Sequence, residues 1–469
     1  MIKSRLIRLH STLNKKEIRQ FKLWINSPIH NQHQNSLKLF NFIHSRHTLS
    51  SITLQKERAY KFIFPSETYK EERLRYLMNS CFNLLKKFVG YNQSVSDHFD
   101  YQKNIIEGLK ERNLSDLARI ELDKLNIEVR NKASQNAANS LQLFELERNS
   151  FELRGTQNRS IQTNLPKIFT HLTDFYTLSM LKYACVAGSH SNITQQNYTI
   201  PLLDGILEEA VQSQHPIVLL YYNLYQTLSQ RELDTGLYFE QAGALFLKHY
   251  RELLPQEQNE ILLLLINYCI KRRLSIDAES FVKKGFEWYR WGLEHAVLIQ
   301  KNKLSRFAYL NIVGMGLQLF EFDWVAQFIT QYIQYLPSQF QENYQHYTTA
   351  KLLFKQKKYA KAQRLLTQIE YDDIFLNLDS KTILLEIYYE EKSWDSLEAL
   401  LVSFSRYLQR KKVIAYHKKV YKNIISLTRK LMSLPPYDKA AKKALLEEIK
   451  TTNPLAERDW LLKQIELLS

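Results

Sequence analysis

The sequence predicts an all-α protein in which a small helical bundle is followed by stacked helical hairpins. The 469 residues include only 11 glycines and 10 prolines, fewer than sheets and turn-rich loops need. Apolar residues recur at steps of three and four, which indicates amphipathic helices. Bulky aromatic residues also recur at a constant spacing in the C-terminal half, which indicates that the hairpins repeat.

The length of the chain predicts more than one compact core. A chain of 469 residues is expected to form two or three domains or an elongated array. The longest aliphatic run, residues 261 to 266, is much shorter than the ~20 residues of a membrane span, so we expect a soluble protein. Three isolated cysteines, Cys81, Cys185 and Cys269, favour a reducing cytoplasm.

The first 16 residues are basic and contain no acidic residue. They lack the continuous apolar segment of a secretory signal. Their composition is also typical of a mitochondrial presequence, which we keep as an alternative to the cytoplasmic location.

Residues 1 to 92 are predicted to form a basic N-terminal helical bundle. Asn14 can cap a helix over residues 15 to 26, with Glu17 as its capping-box partner. A second capping box, at residues 68 to 71, is expected to begin a helix that ends at Gly90. The apolar residues of this helix form one stripe, made by Leu74, Leu77, Met78, Cys81, Leu84, Leu85 and Phe88.

The aromatic spacing concerns Trp324, Tyr359 and Trp394, which are separated by 35 residues and again by 35. A period near 34 residues, with an aromatic residue just before the second helix, is typical of tetratricopeptide (TPR) hairpins. These three residues are therefore predicted to pack between helices as structural repeat positions. The repeat is degenerate, because Ala362 corresponds to Leu397 in the next copy.

We therefore predict a helical-hairpin region over residues 93 to 300. Residues 301 to 469 are predicted to form a degenerate TPR-like α-solenoid with C-terminal capping helices. Residues 108 to 125 resemble a further hairpin of the same kind, so the array is expected to extend towards the N-terminal half.

The net charge of +16 is concentrated in two segments. Residues 1 to 92 hold 17 lysines and arginines against 5 glutamates and no aspartate, and residues 406 to 430 hold 9 cations and no acid. Basic residues on one helix face can bind phosphates, although such a face is more often only solvated. The candidate anion or nucleic-acid contacts are Arg73, Arg75, Lys86, Lys87, Lys411, Lys412, Lys418, Lys419, Lys422, Arg429 and Lys430.

No motif in the sequence predicts catalysis, a cofactor or a metal. Phosphate-binding glycine loops, a G-x-S-x-G elbow and an H-E-x-x-H helix are all absent from the sequence. The pairs His30 and His33, and His44 and His47, have helical spacing but no third ligand nearby in sequence. Aromatic clusters at 219 to 226 and 286 to 291 could line a peptide or base groove, but core packing is the simpler interpretation.

Five blocks of the sequence carry a resemblance to known proteins: FKLWINSPIHN (21–31), LRYLMNSCFNLLKKFV (74–89), NYCIKR (267–272), FEFDWVAQFI (320–329) and NPLAERDWLL (453–462). These blocks are similar to a family of helical, tetratricopeptide-like hypothetical proteins from Bacteroidetes bacteria. The resemblance covers nearly the whole chain in the same order, and it implies a bacterial cytoplasmic protein with a helical-repeat body. It supplies no catalytic or binding residue, and His30 stands where that family is expected to carry an aromatic.

Two functional hypotheses follow from these patterns. The first is a non-enzymatic interaction or scaffold protein that binds a protein or peptide partner through the surface of its helical repeats. The alternative is a nucleic-acid-binding protein that uses the basic N-terminal bundle and the basic strip at residues 406 to 430.

Overall fold

The computed structural model describes most of the chain, and over this part the protein is helical, which confirms the predicted all-α class. Strand-like pairing within the described part is limited to one antiparallel bridge between Gln300 and Lys303. The described residues are 1–46, 48–131, 136–154, 163–194, 196–229, 236–272, 278–367, 373–410, 415–435 and 437–468.

The chain divides into two compact units, Met1–Ser179 and Met180–Ser469. The predicted domain boundaries after residues 92 and 300 stay predictions. In the described part of the first unit the helices are α1 (Arg5–His10), α2 (Lys15–Asn26), α3 (Gln34–His44), α4 (Lys56–Ile63), α5 (Glu71–Ser96), α6 (His98–Glu111), α7 (Ser115–Arg130), α8 (Ala137–Arg154) and the beginning of α9 (Leu165–Thr194).

The second unit continues from α9 as a succession of helices joined by short turns. Two of these turns are single 3₁₀ segments, Tyr250–Glu252 and Ile333–Tyr335. The helices in its described part are α10 (Leu203–Gln212), α11 (Pro216–Ser229), α12 (Leu237–His249), α13 (Pro255–Arg272), α14 (Ala278–Glu294), α15 (Arg306–Gln318), α16 (Phe322–Tyr332), α17 (Ser338–Lys355), α18 (Tyr359–Thr367), α19 (Ile374–Glu390), α20 (Trp394–Arg410), α21 (Ala415–Met432), α22 (Lys439–Thr451) and α23 (Arg458–Leu467).

Helices α1 to α5 enclose the core of the N-terminal bundle. The Asn14 side chain accepts hydrogen bonds from the amides of Lys16 and Glu17, and the Glu17 carboxylate accepts one from the Asn14 amide, so the first predicted capping box is confirmed. In the core, the Phe21 ring of α2 meets Phe40 of α3 edge-on, with centroids 5.0 Å apart. Aromatic packing therefore joins these helices across the bundle.

Helix α5 differs from its predicted ends at both termini. It begins at Glu71 after Lys70, without a side-chain cap, because the Glu71 carboxylate is held by Lys56 of α4. It also continues through Gly90 to Ser96, and a Cβ at Gly90 would have no neighbour within 4 Å. The capping box at residues 68 to 71 and the end at Gly90 are therefore wrong, whereas the apolar stripe is confirmed as the inward face.

Four of the helical hairpins share one turn. In each, a residue with left-handed φ lies two residues after the last residue of the first helix. The amide of the residue that follows it donates to the carbonyl five residues earlier, at 2.8 to 3.0 Å. These bonds satisfy carbonyl groups that a helix end leaves free, as in a Schellman motif. The left-handed residues are Asn113 (60°), Phe320 (60°), Lys357 (58°) and Lys392 (54°).

The same four hairpins also share a buried position. The second helix of each begins two residues after the left-handed residue, at α7, α16, α18 and α20. Three residues after the start of that helix, a side chain is completely buried. This position is Ala118, Val325, Ala362 and Leu397, each with 0% exposure.

In the C-terminal half, each helix from α15 to α20 packs against the next helix along the chain. Helix α17 also packs against α15 and α19, so the first helices of successive hairpins form a row. Within one hairpin, α15 and α16 approach closely at Gly316, where a Cβ would lie 2.5 Å from the Val325 Cγ2 atom. Only glycine permits this separation of the two helices.

Candidate functional site

The predicted repeat aromatics do not all occupy equivalent positions. Tyr359 and Trp394 are the first residues of α18 and α20. In α16 that position belongs to Phe322, and Trp324 lies two residues further along the helix. The left-handed turn residues Phe320 and Lys357 are 37 residues apart, whereas the aromatics Trp324 and Tyr359 are 35 residues apart. The equally spaced aromatics therefore do not occupy equivalent positions in their hairpins.

The three aromatic side chains make packing contacts. The Tyr359 ring lies 5.9 Å from Phe354, and the Trp394 ring lies 5.4 Å from Tyr389. Both partners belong to the last turn of the first helix in the same hairpin. Trp324 instead contacts Phe286 of α14, in the preceding hairpin, with ring centroids 5.0 Å apart. The Trp394 side chain also remains 44% exposed.

A charged network joins the first helices of two successive hairpins. The Lys351 ammonium of α17 donates to Asp379 Oδ2 of α19 at 3.1 Å, and the Tyr347 hydroxyl donates to the same oxygen. Burial opposes ionisation of both charged groups, but their mutual attraction outweighs it and raises the pKa of Lys351 while lowering that of Asp379. Both side chains nevertheless keep about a third of their surface exposed.

The same side of α19 carries a second carboxylate, which is more deeply buried than that of Asp379. Glu386 lies seven residues after Asp379, hence on the same face of the helix, and its exposure is 7%. Burial, reinforced by the nearby charges of Glu457 and Glu390, raises the pKa of Glu386 to about 9. Glu386 is therefore largely protonated at neutral pH. Lys355 of α17 is the nearby cation that acts in the opposite direction.

Trp460 of the C-terminal segment contacts two residues at the end of α19. The Trp460 indole of α23 donates to Glu390 Oε1 at 3.1 Å, and its ring meets Tyr389 edge-on at 5.4 Å. The other oxygen of Glu390 accepts the Tyr359 hydroxyl. Glu390 thus links α18, α19 and α23.

In the N-terminal bundle, the candidate contact residues have different environments. Arg73 already has partners within the bundle. Its guanidinium forms an ion pair with the Glu67 carboxylate and lies 3.9 Å from the centre of the Phe64 ring. Arg75, Lys86 and Lys87 are exposed on α5, and among the described residues none of them forms an ion pair. These three cations are therefore available to an anionic ligand, whereas Arg73 stabilises the bundle.

Arg75 lines two adjoining cavities between α1 and α5, which we call the α1–α5 groove. One cavity of about 460 Å³ and another of about 650 Å³ share the side chains of Ser4, Arg75 and Met78. Arg5 and Tyr76 also line the larger one. The groove therefore combines two guanidinium groups with an aromatic ring.

The basic strip on α21 is partly neutralised by its neighbours. Arg429 lies 3.2 Å from Glu398 of α20, and Lys430 lies 2.5 Å from Glu448 of α22. Lys418, Lys419 and Lys422 form no ion pair within the described part of the chain. The remaining candidates, Lys411 and Lys412, lie outside the described residues.

A shallow cavity of about 380 Å³ lies beside this strip. It is lined by Lys422, Arg429 and Lys430 of α21 and by Ser405 and Gln409 of α20, among others. Two of its three cations are already paired with carboxylates, so its capacity to attract an anion is smaller than that of the α1–α5 groove.

The described histidines His30 and His44 and the three cysteines have packing environments, whereas His33 is exposed just before α3. The His30 ring stacks on Trp24 at 3.4 Å, the His44 ring stacks on Phe40 at 5.7 Å, and His47 lies outside the described residues. Over the described part of the chain, no three His, Cys, Asp or Glu side chains are grouped as metal ligands. Cys81, Cys185 and Cys269 are buried, and burial raises the pKa of each thiol.

The sequence did not reveal the Lys351–Asp379 pair or two of the residues that line the α1–α5 groove. The Lys351–Asp379 pair spans two hairpins, so no local motif reveals it, although Tyr347, Lys351 and Lys355 share the i, i+4 spacing of one helix face. Arg5 and Tyr76 were also missed, because the groove exists only once α1 packs against α5. In the sequence, they stand out only as an arginine and a tyrosine within amphipathic helices.

Comparisons with known proteins give no assignment. No family model matches the chain, and no curated protein and no solved structure matches it. Among the described helices, none has the length and apolar character needed to cross a membrane.

Proposed function

We propose that the chain is a non-enzymatic interaction or scaffold protein whose hairpins form a degenerate TPR-like solenoid. It binds a protein or peptide partner through the row of first helices, α15, α17 and α19. The observation that carries this proposal is the turn shared by four hairpins, which indicates one structural unit used repeatedly. Repeated hairpins bury a continuous core by stacking and leave an extended surface for binding. A cytoplasmic, bacterial setting belongs to the same proposal.

The charged residues of α17 and α19 support a polypeptide ligand. Lys351 and Asp379 are held in position by each other and by Tyr347, so little side-chain order is lost when a partner binds. Lys355 is exposed four residues further along α17. A ligand that lies along α17 would therefore meet a fixed ion pair and then an exposed cation. This arrangement favours an extended peptide with a carboxylate near Lys355.

Selection from a random peptide library tests this proposal. Peptides that bind the full chain are expected to lose at least fivefold in affinity to the Lys355→Glu variant, which reverses one charge on α17. Lys361→Glu makes the same change on an exposed position of α18 and is expected to bind as the unaltered chain does. Equal losses in the two variants, or no enriched peptide at all, would contradict the proposal.

A second candidate function is nucleic-acid binding by the N-terminal bundle. The specific observation that favours it is the row of exposed, unpaired cations on α5, formed by Arg75, Lys86 and Lys87 within the described residues. Such cations release counterions when they meet phosphates, so the affinity falls steeply with salt.

Retention of mixed RNA by the full chain at increasing salt tests this second function. The double variant Lys86→Glu, Lys87→Glu is expected to weaken retention and to reduce its salt dependence. The double variant Lys439→Glu, Lys443→Glu changes the net charge equally on α22, at two exposed positions. It is expected to retain most of the binding. Absence of retention at low salt would contradict nucleic-acid binding.

A further inference from the structure

The α1–α5 groove consists of two adjoining cavities of the N-terminal bundle. Their volumes are about 460 and 650 Å³, and they share Ser4, Arg75 and Met78 in their lining. The floor of the groove borders the core of the bundle, because its lining includes the core residues Leu6 and Leu74 and the partly buried Met78. Arg75 and Tyr76 are exposed at its edge.

The charge of the groove is predominantly positive. Lys3, Arg5 and Arg75 line it and form no ion pair within the described residues, while Lys56 is paired with Glu71. Glu72 is the unpaired acid on the same lining. Three free cations against one free carboxylate leave a net attraction for an anion.

Arg5 is held in a fixed position within the groove. Its guanidinium carbon lies 5.1 Å from the centre of the Phe82 ring, and its Nη2 atom donates to Asn79 Oδ1 at 3.4 Å. A guanidinium that is already oriented loses less freedom when it meets a phosphate than a free lysine does. Phe82 and Asn79 thus act as positioning residues for Arg5.

Tyr76 gives the groove an exposed aromatic surface. It is 75% exposed although it lies between Arg75 and the core residue Leu77. An exposed ring next to an arginine is the combination that proteins use for single-stranded nucleic acids, in which a base stacks on the ring and the cation meets the phosphate. A duplex offers no free base to such a ring.

Helix α5 extends this pattern beyond the groove. Arg75, Asn79, Phe82 and Lys86 are related by steps of four, three and four residues, so they lie along one line of the helix. From Arg75 to Lys86 this line is about 16 Å long, at about 1.5 Å per residue. Lys87 is placed beside Lys86. The exposed cations therefore continue in the direction in which a bound strand would run.

We propose that the α1–α5 groove binds single-stranded nucleic acid, with one base stacked on Tyr76 and the adjacent phosphates between Arg5 and Arg75. The strand then continues towards Lys86 and Lys87. This inference rests on the second proposed function and specifies its site, its strand form and its stacking residue.

Fluorescence anisotropy with labelled 12-nucleotide oligo(dT), oligo(U) and a matched 12-base-pair duplex tests the inference on the full chain. The two single strands are expected to bind more tightly than the duplex. Tyr76→Ala is expected to weaken their binding about tenfold, because one stacked base is lost, whereas Tyr76→Phe retains the ring and most of the affinity. Arg75→Ala is expected to reduce the slope of log affinity against log salt by about one phosphate contact.

Two control variants separate the groove from general effects of the substitutions. Tyr437→Ala removes a tyrosine that is 96% exposed elsewhere, and Arg58→Ala removes an exposed cation of α4 outside the groove. Both are expected to bind as the unaltered chain does. Thermal unfolding of each variant verifies that the fold is retained, which we expect because the substituted side chains are exposed.

The outcomes distinguish this inference from the function on which it rests. If Tyr76→Ala and Arg75→Ala bind normally while the Lys86→Glu, Lys87→Glu double variant does not, nucleic-acid binding stands but the groove is not its site. Preference for the duplex would overturn the single-strand assignment. If the chain binds none of the three oligonucleotides at 50 mM salt, both this inference and the second proposed function are overturned.

Discussion

The Lys351 ammonium of α17 lies 3.1 Å from the Asp379 carboxylate of α19, so an ion pair joins the first helices of two successive hairpins. The Tyr347 hydroxyl bonds the same carboxylate. Apolar contacts between stacked hairpins are not directional. The charged pair therefore provides a directional contact between neighbouring repeats.

Removing either partner of this pair is expected to destabilise the second unit. We expect Lys351→Met and Asp379→Asn each to lower the free energy of unfolding by ~2 kcal/mol, since each leaves a partly buried charge without its partner. The double variant is expected to lose less free energy of unfolding than the two single variants lose together, and the difference is a coupling energy of about 1 kcal/mol. Urea denaturation of the four proteins measures these values.

An exposed ion pair serves as the control for that cycle. Lys430 and Glu448 join α21 to α22 but are 51% and 43% exposed, so their coupling is expected to stay below ~1 kcal/mol. A coupling energy at Lys351 and Asp379 no larger than at this exposed pair would contradict the role assigned to the partly buried pair.

The close approach of α15 and α16 predicts opposite effects at two glycines of the same helix. Gly316→Ala is expected to destabilise the unit by ~2 kcal/mol, because the new Cβ would lie 2.5 Å from Val325 Cγ2 and 3.0 Å from Phe286. Gly314→Ala meets no atom within 4 Å and is expected to stabilise the helix by ~0.5 to 1 kcal/mol. Thermal unfolding of the two variants tests this prediction. Equal shifts in melting temperature would exclude close packing at Gly316.

The shared turn predicts a stabilising substitution. Lys357 has a φ of 58°, a conformation that costs a non-glycine residue ~1 kcal/mol. Lys357→Gly is therefore expected to raise the free energy of unfolding by up to ~1 kcal/mol. Lys361→Gly, inside helix α18, is expected to lower it by about the same amount. A destabilising Lys357→Gly substitution in urea denaturation would show that this turn does not have left-handed backbone.

The buried Glu386 predicts a dependence of stability on pH. Its pKa in the folded protein is raised to about 9, so the folded state binds a proton more tightly than the unfolded state does. The stability that this proton contributes is fully present below the ordinary glutamate pKa near 4.5. It is lost progressively as pH rises towards 9.

Glu386→Gln keeps the shape of the side chain and removes its charge. Melting temperatures between pH 5 and pH 9 are therefore expected to fall with pH in the unaltered protein and to fall less in this variant. Glu391→Gln, at an exposed position just after α19, is expected to leave the pH profile unchanged. Parallel profiles for the unaltered protein and Glu386→Gln would mean that Glu386 is ionised in the folded state at neutral pH.

The helical class and many local features could be predicted from the sequence, because they depend on neighbouring residues. The Asn14 cap and the inward stripe of α5 are examples, since a capping side chain and a three-to-four periodicity act within a few turns. The end predicted at Gly90 was wrong because glycine permits a helix end without requiring one. The helix continued where no competing contact stopped it.

The residues that connect hairpins could not be predicted in the same way. An alignment on aromatic residues placed Trp324 with Tyr359, although the shared turn shows that Phe322 occupies the equivalent position. The turn itself uses Asn, Phe, Lys and Lys at the left-handed residue, so composition does not reveal it. The Lys351–Asp379 pair and the α1–α5 groove depend on helices that meet only in the folded chain.

Hydrogen–deuterium exchange of the full chain, with and without a library-selected peptide, tests the central claim most directly. The claim is that the row of first helices binds a polypeptide partner. Protection is predicted for amides of α17 and α19 around Lys351 and Asp379, with little change in the outer helices α18 and α20. Protection confined to α18 and α20, or to the first unit, would contradict it.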